Sequence, residues 1–213
     1  MVSRTPLSQS ASFWAQGGLA AALEPGDSPK RHAEDTIAAG RNLCRPSAVW
    51  VLVEEAPAAV RDLQERGVNF DLDQDGRLAL GLEGGHSARR IVHSGGSQTG
   101  REITSKLAAM VAKDERIEVR ERTSATALWS DGERCFGVIT DAGALGSRAT
   151  VLATGGAAAL WRRTTNPRGA IGAGPVFGAA AGADLADLEF CQFHPTAVAL
   201  PDTPFDGQLI TEA

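Results

Sequence analysis

The sequence predicts an α/β fold. Three observations carry the prediction. Stretches with apolar residues at helical spacing dominate the first half, short apolar runs parted by Gly- and Asp-containing turns dominate the second, and a last run, A-T-V-L-A-T at 149–154, stops abruptly at Gly155-Gly156. In open α/β sheets a ligand crevice lies just beyond such strand ends. The 213 residues, 43% of them hydrophobic, suffice to bury one substantial core and argue against disorder.

The elements follow from local signals. Ser28 followed by Pro29 is a helix start, with Ser as the cap and Pro at the first helical position; the Ala-rich stretch to Ala39 then stops at Gly40. A second helix is expected over 47–66, with Val49, Leu52, Val53, Val60 and Leu63 apolar, Gly67 as the stop and Pro57 kinking or dividing it. Residues 68–80 alternate around Asp75-Gly76 and predict a short hairpin. After a polar, Gly-rich segment, Thr99 caps a third helix over 99–113 with Ile103, Leu107, Met110 and Val111 on one face. The period then changes to that of strands: 117–119, 125–129, 135–139 and 149–153 are short apolar runs, punctuated by Asp131-Gly132 and by 143–146. They predict a β-meander feeding one last buried strand, and the Ala/Gly mixture at 169–182 receives no element.

Composition excludes several function classes. A net charge of -5 without a Lys/Arg cluster gives no footprint for a phosphate backbone, so no nucleic-acid partner is expected. Residues 1–10 are polar, and no apolar run approaches the roughly 18–20 residues that span a bilayer; a cytoplasmic location is expected, with no membrane partner. Cys44, Cys135 and Cys191 are odd in number and far apart, which indicates neither a disulfide framework nor a metal site, and all three are expected to be buried as small hydrophobes.

Three segments could carry chemistry. In S-F-W-A-Q-G-G at 12–18, two glycines would let backbone N–H groups approach an anionic ligand closely, although a Gly pair also serves plain turns. No G-x-G-x-x-G follows an opening strand, so either no dinucleotide is bound or that element lies outside the sequence. In E-G-G-H-S at 83–87, followed by Arg89, Arg90 and His93, a carboxylate, an imidazole and two guanidinium groups could hold a small zwitterionic acid; a solvated polar loop is the alternative. In F-C-Q-F-H-P-T at 190–196, apolar residues flank His194 before a proline, the setting of a packed core histidine unless a folded crevice gathers the acidic run 184–189 and Thr211-Glu212 around it. T-T-N-P at 164–167 reads as a turn.

Together these segments are more specific than any one of them. S-F-W-A-Q-G-G-L-A-A, E-G-G-H-S-A-R-R-I-V-H, Q-T-G-R-E-I, V-L-A-T-G-G, T-T-N-P, L-E-F-C-Q-F-H-P-T and L-I-T-E-A stand in one order along nearly the whole chain. In that order and spacing the chain resembles the L-aspartate oxidase family. Succinate dehydrogenase and fumarate reductase flavoproteins share A-Q-G-G, A-T-G-G, E-F-x-Q-F-H-P-T and T-E, whereas E-G-G-H-S-x-R-R-I-x-H with W-A-Q-G-G is similar to the oxidases in particular.

The resemblance implies an FAD/NAD(P)-binding Rossmann-like domain with an inserted β-meander over 1–187, incomplete at its N-terminus, and the first part of a substrate-capping domain over 188–213. It implies an incomplete chain, with the G-x-G-x-x-G strand before Met1 and most of the cap after Ala213. FAD is the implied cofactor, with Arg4 near its adenosine ribose and Ala11, Ser12, Phe13, Trp14, Ala15, Gln16, Gly17 and Gly18 wrapping it. Ser124 and Ala125 match a backbone contact on the adenine side, and Thr154 and Gly155 the strand end that passes the cofactor. Glu83, His194, Thr211 and Glu212 match the substrate pocket, Glu83 facing the α-ammonium of L-aspartate. The implied reaction is oxidation of L-aspartate to iminosuccinate, the first step of de novo NAD biosynthesis, with O2 or fumarate as acceptor and a functional link to quinolinate synthase. The isolated chain is expected to have little or no oxidase activity and to fold poorly. A succinate- or fumarate-type flavoprotein and a catalytically silent remnant are the alternatives. Two departures stand out: the family's G-D-G reads Gly172-Ala173-Gly174, and its D-A-T-G reads Ser97-Gln98-Thr99-Gly100.

Overall fold

A computed structural model describes residues 1–201, 203 and 205–210. The chain divides into two compact units, one formed by Ala15–Ala109 and the other by residues 1–14 with 110–210.

The first unit is built on a small antiparallel sheet in which β3 (Ile91–Val92) lies between β1 (Leu19–Ala20) and β2 (Leu80–Gly81). Leu19 and Leu80 both face Val92 in register, and their apolar side chains meet those of Ala21, Val60, Val68 and Phe70 in one core. Helix α1 (Pro29–Ala39) starts where the sequence predicts: the Ser28 hydroxyl accepts the Arg31 N–H at 3.2 Å, and Gly40 ends it. Helix α2 (Pro46–Glu65) is continuous through Pro57, and its inward stripe is Val49, Val53 and Val60. Of the kink or division expected at Pro57, the division does not occur, and Leu52 is 63% exposed because it lies off that stripe. Ala33 of α1 closes on Val49 and Val53 in a second apolar cluster. The hairpin around Asp75-Gly76 is present as a single bridge from Leu72 to Leu78. Helix α3 (Thr99–Lys113) sends Ile103 into the first core. Thr99 lies inside its first turn rather than capping it, and its hydroxyl accepts the Ser94 N–H at 3.2 Å.

The second unit holds the predicted meander, an antiparallel sheet of β4 (Ala125–Ser130), β5 (Cys135–Thr140) and β6 (Gly143–Gly146). Asp131 makes the first turn, its Oδ1 accepting the N–H groups of Glu133 and Arg134. Residues 143–146, expected to be punctuation, form the third strand because β5 offers them a ladder. At Gly137, φ is +150° and a Cβ would come within 1.9 Å of the Leu145 carbonyl oxygen, so the close approach of β5 and β6 needs glycine there. The segment 169–182, left without an element, contains helix α4 (Ala173–Ala180), which packs against β4.

Two strand expectations fail. Residues 117–119 form no strand; the next residue, Arg120, makes an isolated parallel bridge to Val2. Residues 149–154 form no strand, and Val151 is 86% exposed. A strand is a property of a ladder, and no described residue pairs with this segment, so its β-branched, apolar composition has nothing to bury against. The cysteines are also not the buried hydrophobes expected: Cys44 and Cys135 are half-buried and Cys191 is exposed, all three as free thiols.

Candidate functional site

The first candidate region lies wholly within the Ala15–Ala109 unit. Strands β2 and β3 are joined by the loop at 82–90, so Glu83 leaves the end of β2 and His93 follows the end of β3. The Glu83 Oε1 and His93 Nε2 atoms lie 3.3 Å apart. Glu83 Oε1 is buried and has no hydrogen-bond donor among the described residues, so its contact with His93 is one of proximity. Gly81 permits it, because a Cβ there would press on the His93 ring at 3.0 Å. His93 and Arg89 line a cavity of about 770 Å³ together with Glu24, Asp71, Asp73 and Ser97.

The rest of the E-G-G-H-S-A-R-R segment does not form the cluster of free charges the sequence suggests. The Arg90 side chain is fully buried and bonded to Asp27 at two points and to Asp35. Its guanidinium is therefore neutralised within the protein, and only Arg89 remains exposed. His86 Nδ1 lies 3.2 Å from Arg90 Nη1, and its ring sits 5.6 Å from that of the buried His32. Ser87 is tied to α1 from both sides: Asp35 accepts its N–H and its hydroxyl, and Arg31 donates to its Oγ and its carbonyl. Burial pushes the Asp35 carboxyl up, but the Ser87 N–H, the Arg90 guanidinium and the Ser87 hydroxyl outweigh it and hold it at about 2. Burial likewise opposes the charge on Asp27, and the Arg90 and Ser28 hydrogen bonds prevail and hold it below the ordinary carboxylate range. His32 is lowered, first by burial and then by the Arg90 charge. Asp27, Arg31 and Asp35 were not singled out by the sequence; an Asp before the α1 cap and polar residues at i and i+4 along that helix are the available signal.

The second region lies within the other unit. A cavity of about 250 Å³ is lined by Trp161, Thr164, Thr165, Asn166, Phe193 and His194, among others. The fold thus joins the T-T-N-P segment, read locally as a turn, to the histidine of F-H-P-T. His194 is half-buried. The Thr196 N–H donates to its Nδ1 at 3.3 Å, so the matching neutral tautomer carries its proton on Nε2, the form that donates to an oxygen ligand. Phe193 packs edge-on against Trp161 with centroids 5.0 Å apart. Thr211 and Glu212 lie outside the described residues.

The expected cofactor positions fall as follows. Arg4 is exposed, with no ion pair among the described residues. Ala11 and Ser12 are exposed turn residues, and Phe13 and Trp14 meet edge-on at 5.4 Å, Trp14 being 57% exposed. Ala15 accepts the Gly100 N–H, tying the start of its unit to α3, while Gln16, Gly17 and Gly18 are half-buried on the way to β1. Gly18 runs so close to β3 that a Cβ would meet the Val92 carbonyl oxygen at 2.3 Å. Ser124 exchanges two hydrogen bonds with Asp141, and Ala125 opens β4. Thr154 and Gly155 are exposed.

Residues 1–213 match the FAD binding domain family. The chain belongs to that family. It is 44% identical to the L-aspartate oxidase of Mesorhizobium japonicum over 218 residues and 47% identical to that of Caulobacter vibrioides over 219; each alignment covers all of this chain and 42% of the relative. The chain thus spans about two fifths of the length of these curated relatives. Among solved structures it is similar to Mycobacterium smegmatis Sdh1 in complex with UQ1, with 30% identity, a TM-score of 0.87 and coverage of 99% of this chain and 38% of that one. It is also similar to the E. coli quinol fumarate reductase FrdA carrying the E245Q mutation, with 27% identity, a TM-score of 0.90 and coverage of 99% and 36%. The α/β expectation holds at this level: the chain has the mixed helix-and-sheet FAD-binding fold shared with those flavoproteins.

The main chain fits the cofactor of the FAD binding domain family. Gly155 has φ +69° and open space where a Cβ would stand, and Gly174, in the first turn of α4, comes so near Thr154 that a Cβ would meet its Oγ1 at 2.3 Å. Open space at Gly155 leaves the backbone after Thr154 free for close approach by an anionic group, whereas glycine at 174 lets the first turn of α4 pack against Thr154. Ala173 is the first residue of α4. No helix among the described residues is long and apolar enough to cross a membrane.

Proposed function

We propose that this chain supplies the flavin-binding part of an enzyme that oxidises L-aspartate to iminosuccinate, the first step of de novo NAD biosynthesis. FAD, when bound, supplies flavin N5 as the acceptor of the Cα hydride, and O2 or fumarate returns it to the oxidised form. Arg4, residues 11–18, Ser124, Ala125, Thr154 and Gly155 would hold the cofactor. The observation that carries the substrate assignment is the buried Glu83 Oε1, an acceptor without a hydrogen-bond donor among the described residues. An α-ammonium would satisfy that oxygen, whereas a carboxylate placed there would be repelled, most strongly in a partly dry pocket. His194, with its proton on Nε2, would donate to a substrate carboxylate; Thr211 and Glu212 are read as further substrate contacts. The protein's part is to neutralise two carboxylates and aim the Cα–H bond. The first 187 residues are read as the cofactor-binding domain and 188–213 as the start of the cap. A cytoplasmic location and a functional link to quinolinate synthase belong to the same reading.

The likeness to the succinate dehydrogenase and fumarate reductase structures favours a second reading, in which a plain dicarboxylate is the substrate. The two separate in one experiment on the protein at the full length of its relatives. Under anaerobic conditions L-aspartate, and not succinate, should bleach the flavin band. Bleaching by succinate alone would transfer the assignment to the second reading.

A further inference from the structure

We propose that Asp35 is a positioning residue for Glu83: by pinning Ser87 and Arg90 to helix α1 it sets where the Glu83 carboxylate stands, and so sets the preference for a substrate bearing an ammonium group. The proposal rests on the reading of Glu83 given above.

One oxygen of Asp35 does unusual duty. Its Oδ2 accepts the Ser87 N–H at 2.9 Å, the Ser87 hydroxyl at 2.8 Å and Arg90 Nη1 at 2.6 Å. Charge balance does not require it, because Asp27 already meets Arg90 at two points with 1% of its own side chain exposed. The second carboxylate therefore has a geometric consequence rather than a neutralising one. It fastens the far end of the 82–90 loop to α1 at two places.

From there two short routes reach the Glu83–His93 pair. Arg90 Nη1 lies 3.2 Å from His86 Nδ1, and the His86 N–H donates to the Glu83 carbonyl at 3.2 Å. Along the other route the Arg90 N–H donates to the Gly81 carbonyl at 3.1 Å, and Gly81 carries the close contact with the His93 ring. Glu83 is two residues from Gly81 and His93 two residues from Ile91, the register partner of Gly81. Both members of the pair thus hang on backbone that Asp35 pins. Loosening that backbone displaces the carboxylate without removing it.

The test uses the FAD-loaded protein at the full length of its relatives, with binding of aspartate and of succinate read from perturbation of the flavin spectrum beside steady-state kinetics. Asp35→Asn, which keeps the side-chain shape and leaves Arg90 paired to Asp27, should raise the aspartate KM and dissociation constant about tenfold while kcat changes less than about twofold. Succinate binding should stay within about twofold of the parent, because succinate makes no use of Glu83. Glu83→Gln should weaken aspartate in the same way, and the double variant should be no worse than Glu83→Gln alone. Equal loss of aspartate and succinate binding in Asp35→Asn, no change in either, or multiplicative effects in the double variant would overturn the positioning role. Should Glu83→Gln leave aspartate unaffected, the reading of Glu83 falls first and the proposal with it. If Asp35→Asn does not fold, Ser87→Ala decides: a shift confined to aspartate, about threefold, supports the proposal, and an unchanged or unselective protein refutes it.

Discussion

Asp27 and Arg90 meet at two points, Nε to Oδ2 and Nη2 to Oδ1, both at 2.8 Å, with 1% and 0% of their side chains exposed. A planar guanidinium matches a carboxylate in this way, and the match offsets the cost of taking both charges out of water. It joins the residue before the α1 cap to the residue before β3, positions far apart in the chain.

Breaking the pair from one side should therefore be costly. Asp27→Ala leaves a buried guanidinium with Asp35 alone and should destabilise the chain by about 3–5 kcal/mol in urea titration. The Asp62–Arg66 pair on α2 has a similar distance, 2.7 Å, but exposed side chains, and Asp62→Ala should leave the midpoint unmoved.

The depressed Asp35 carboxyl makes stability acid-sensitive. Its folded value of about 2 lies below the ordinary 3.8, so the unfolded chain binds the proton first as pH falls. Its contribution is complete above about pH 4 and drains away as pH approaches 2; about 2 kcal/mol is expected for a shift of this size. Asp35→Asn should flatten the stability profile across that window.

His32 acts higher on the scale. Its value is lowered, so between the folded value and 6.5 the unfolded chain is protonated while the folded chain is not, and stability must fall as pH drops below 6.5. His32→Gln should remove that limb of the profile. A midpoint equally pH-dependent in the variant would contradict this account.

At Gly137 a side chain is excluded twice, by φ of +150° and by the Leu145 carbonyl oxygen at 1.9 Å from a Cβ. Gly137→Ala should separate β5 from β6 and destabilise the protein by more than about 1–3 kcal/mol, the usual cost of overpacking. Faster hydrogen exchange should be confined to the ladder of β5 and β6. Gly132, with nothing within 4 Å of a Cβ but φ of +95°, should lose less on the same change.

His194→Gln keeps an N–H donor of similar reach but alters its placement. Under the proposed function it should weaken aspartate and succinate binding together, by about tenfold, since both present carboxylates. That pattern contrasts with the aspartate-selective loss expected from Glu83→Gln. Weakening of aspartate alone would place His194 near the ammonium instead.

What the sequence determined by itself was whatever short-range chemistry can specify. Ser28-Pro29 and Gly40 set the ends of α1, the turn at Asp131-Gly132 set the β4–β5 connection, and the ordered motifs marked the cofactor family. Tertiary structure decided what depends on a distant partner. Glycine-rich 143–146 became a strand because β5 supplied a ladder, whereas 149–154, with better strand composition, did not, for want of one. Arg90, by pattern as free as Arg89, is consumed by Asp27 and Asp35, and T-T-N-P shares a cavity with His194 across nearly thirty residues. A cap or a turn is settled within a few residues by backbone hydrogen bonds, but burial and ion pairing depend on which groups the rest of the chain brings alongside.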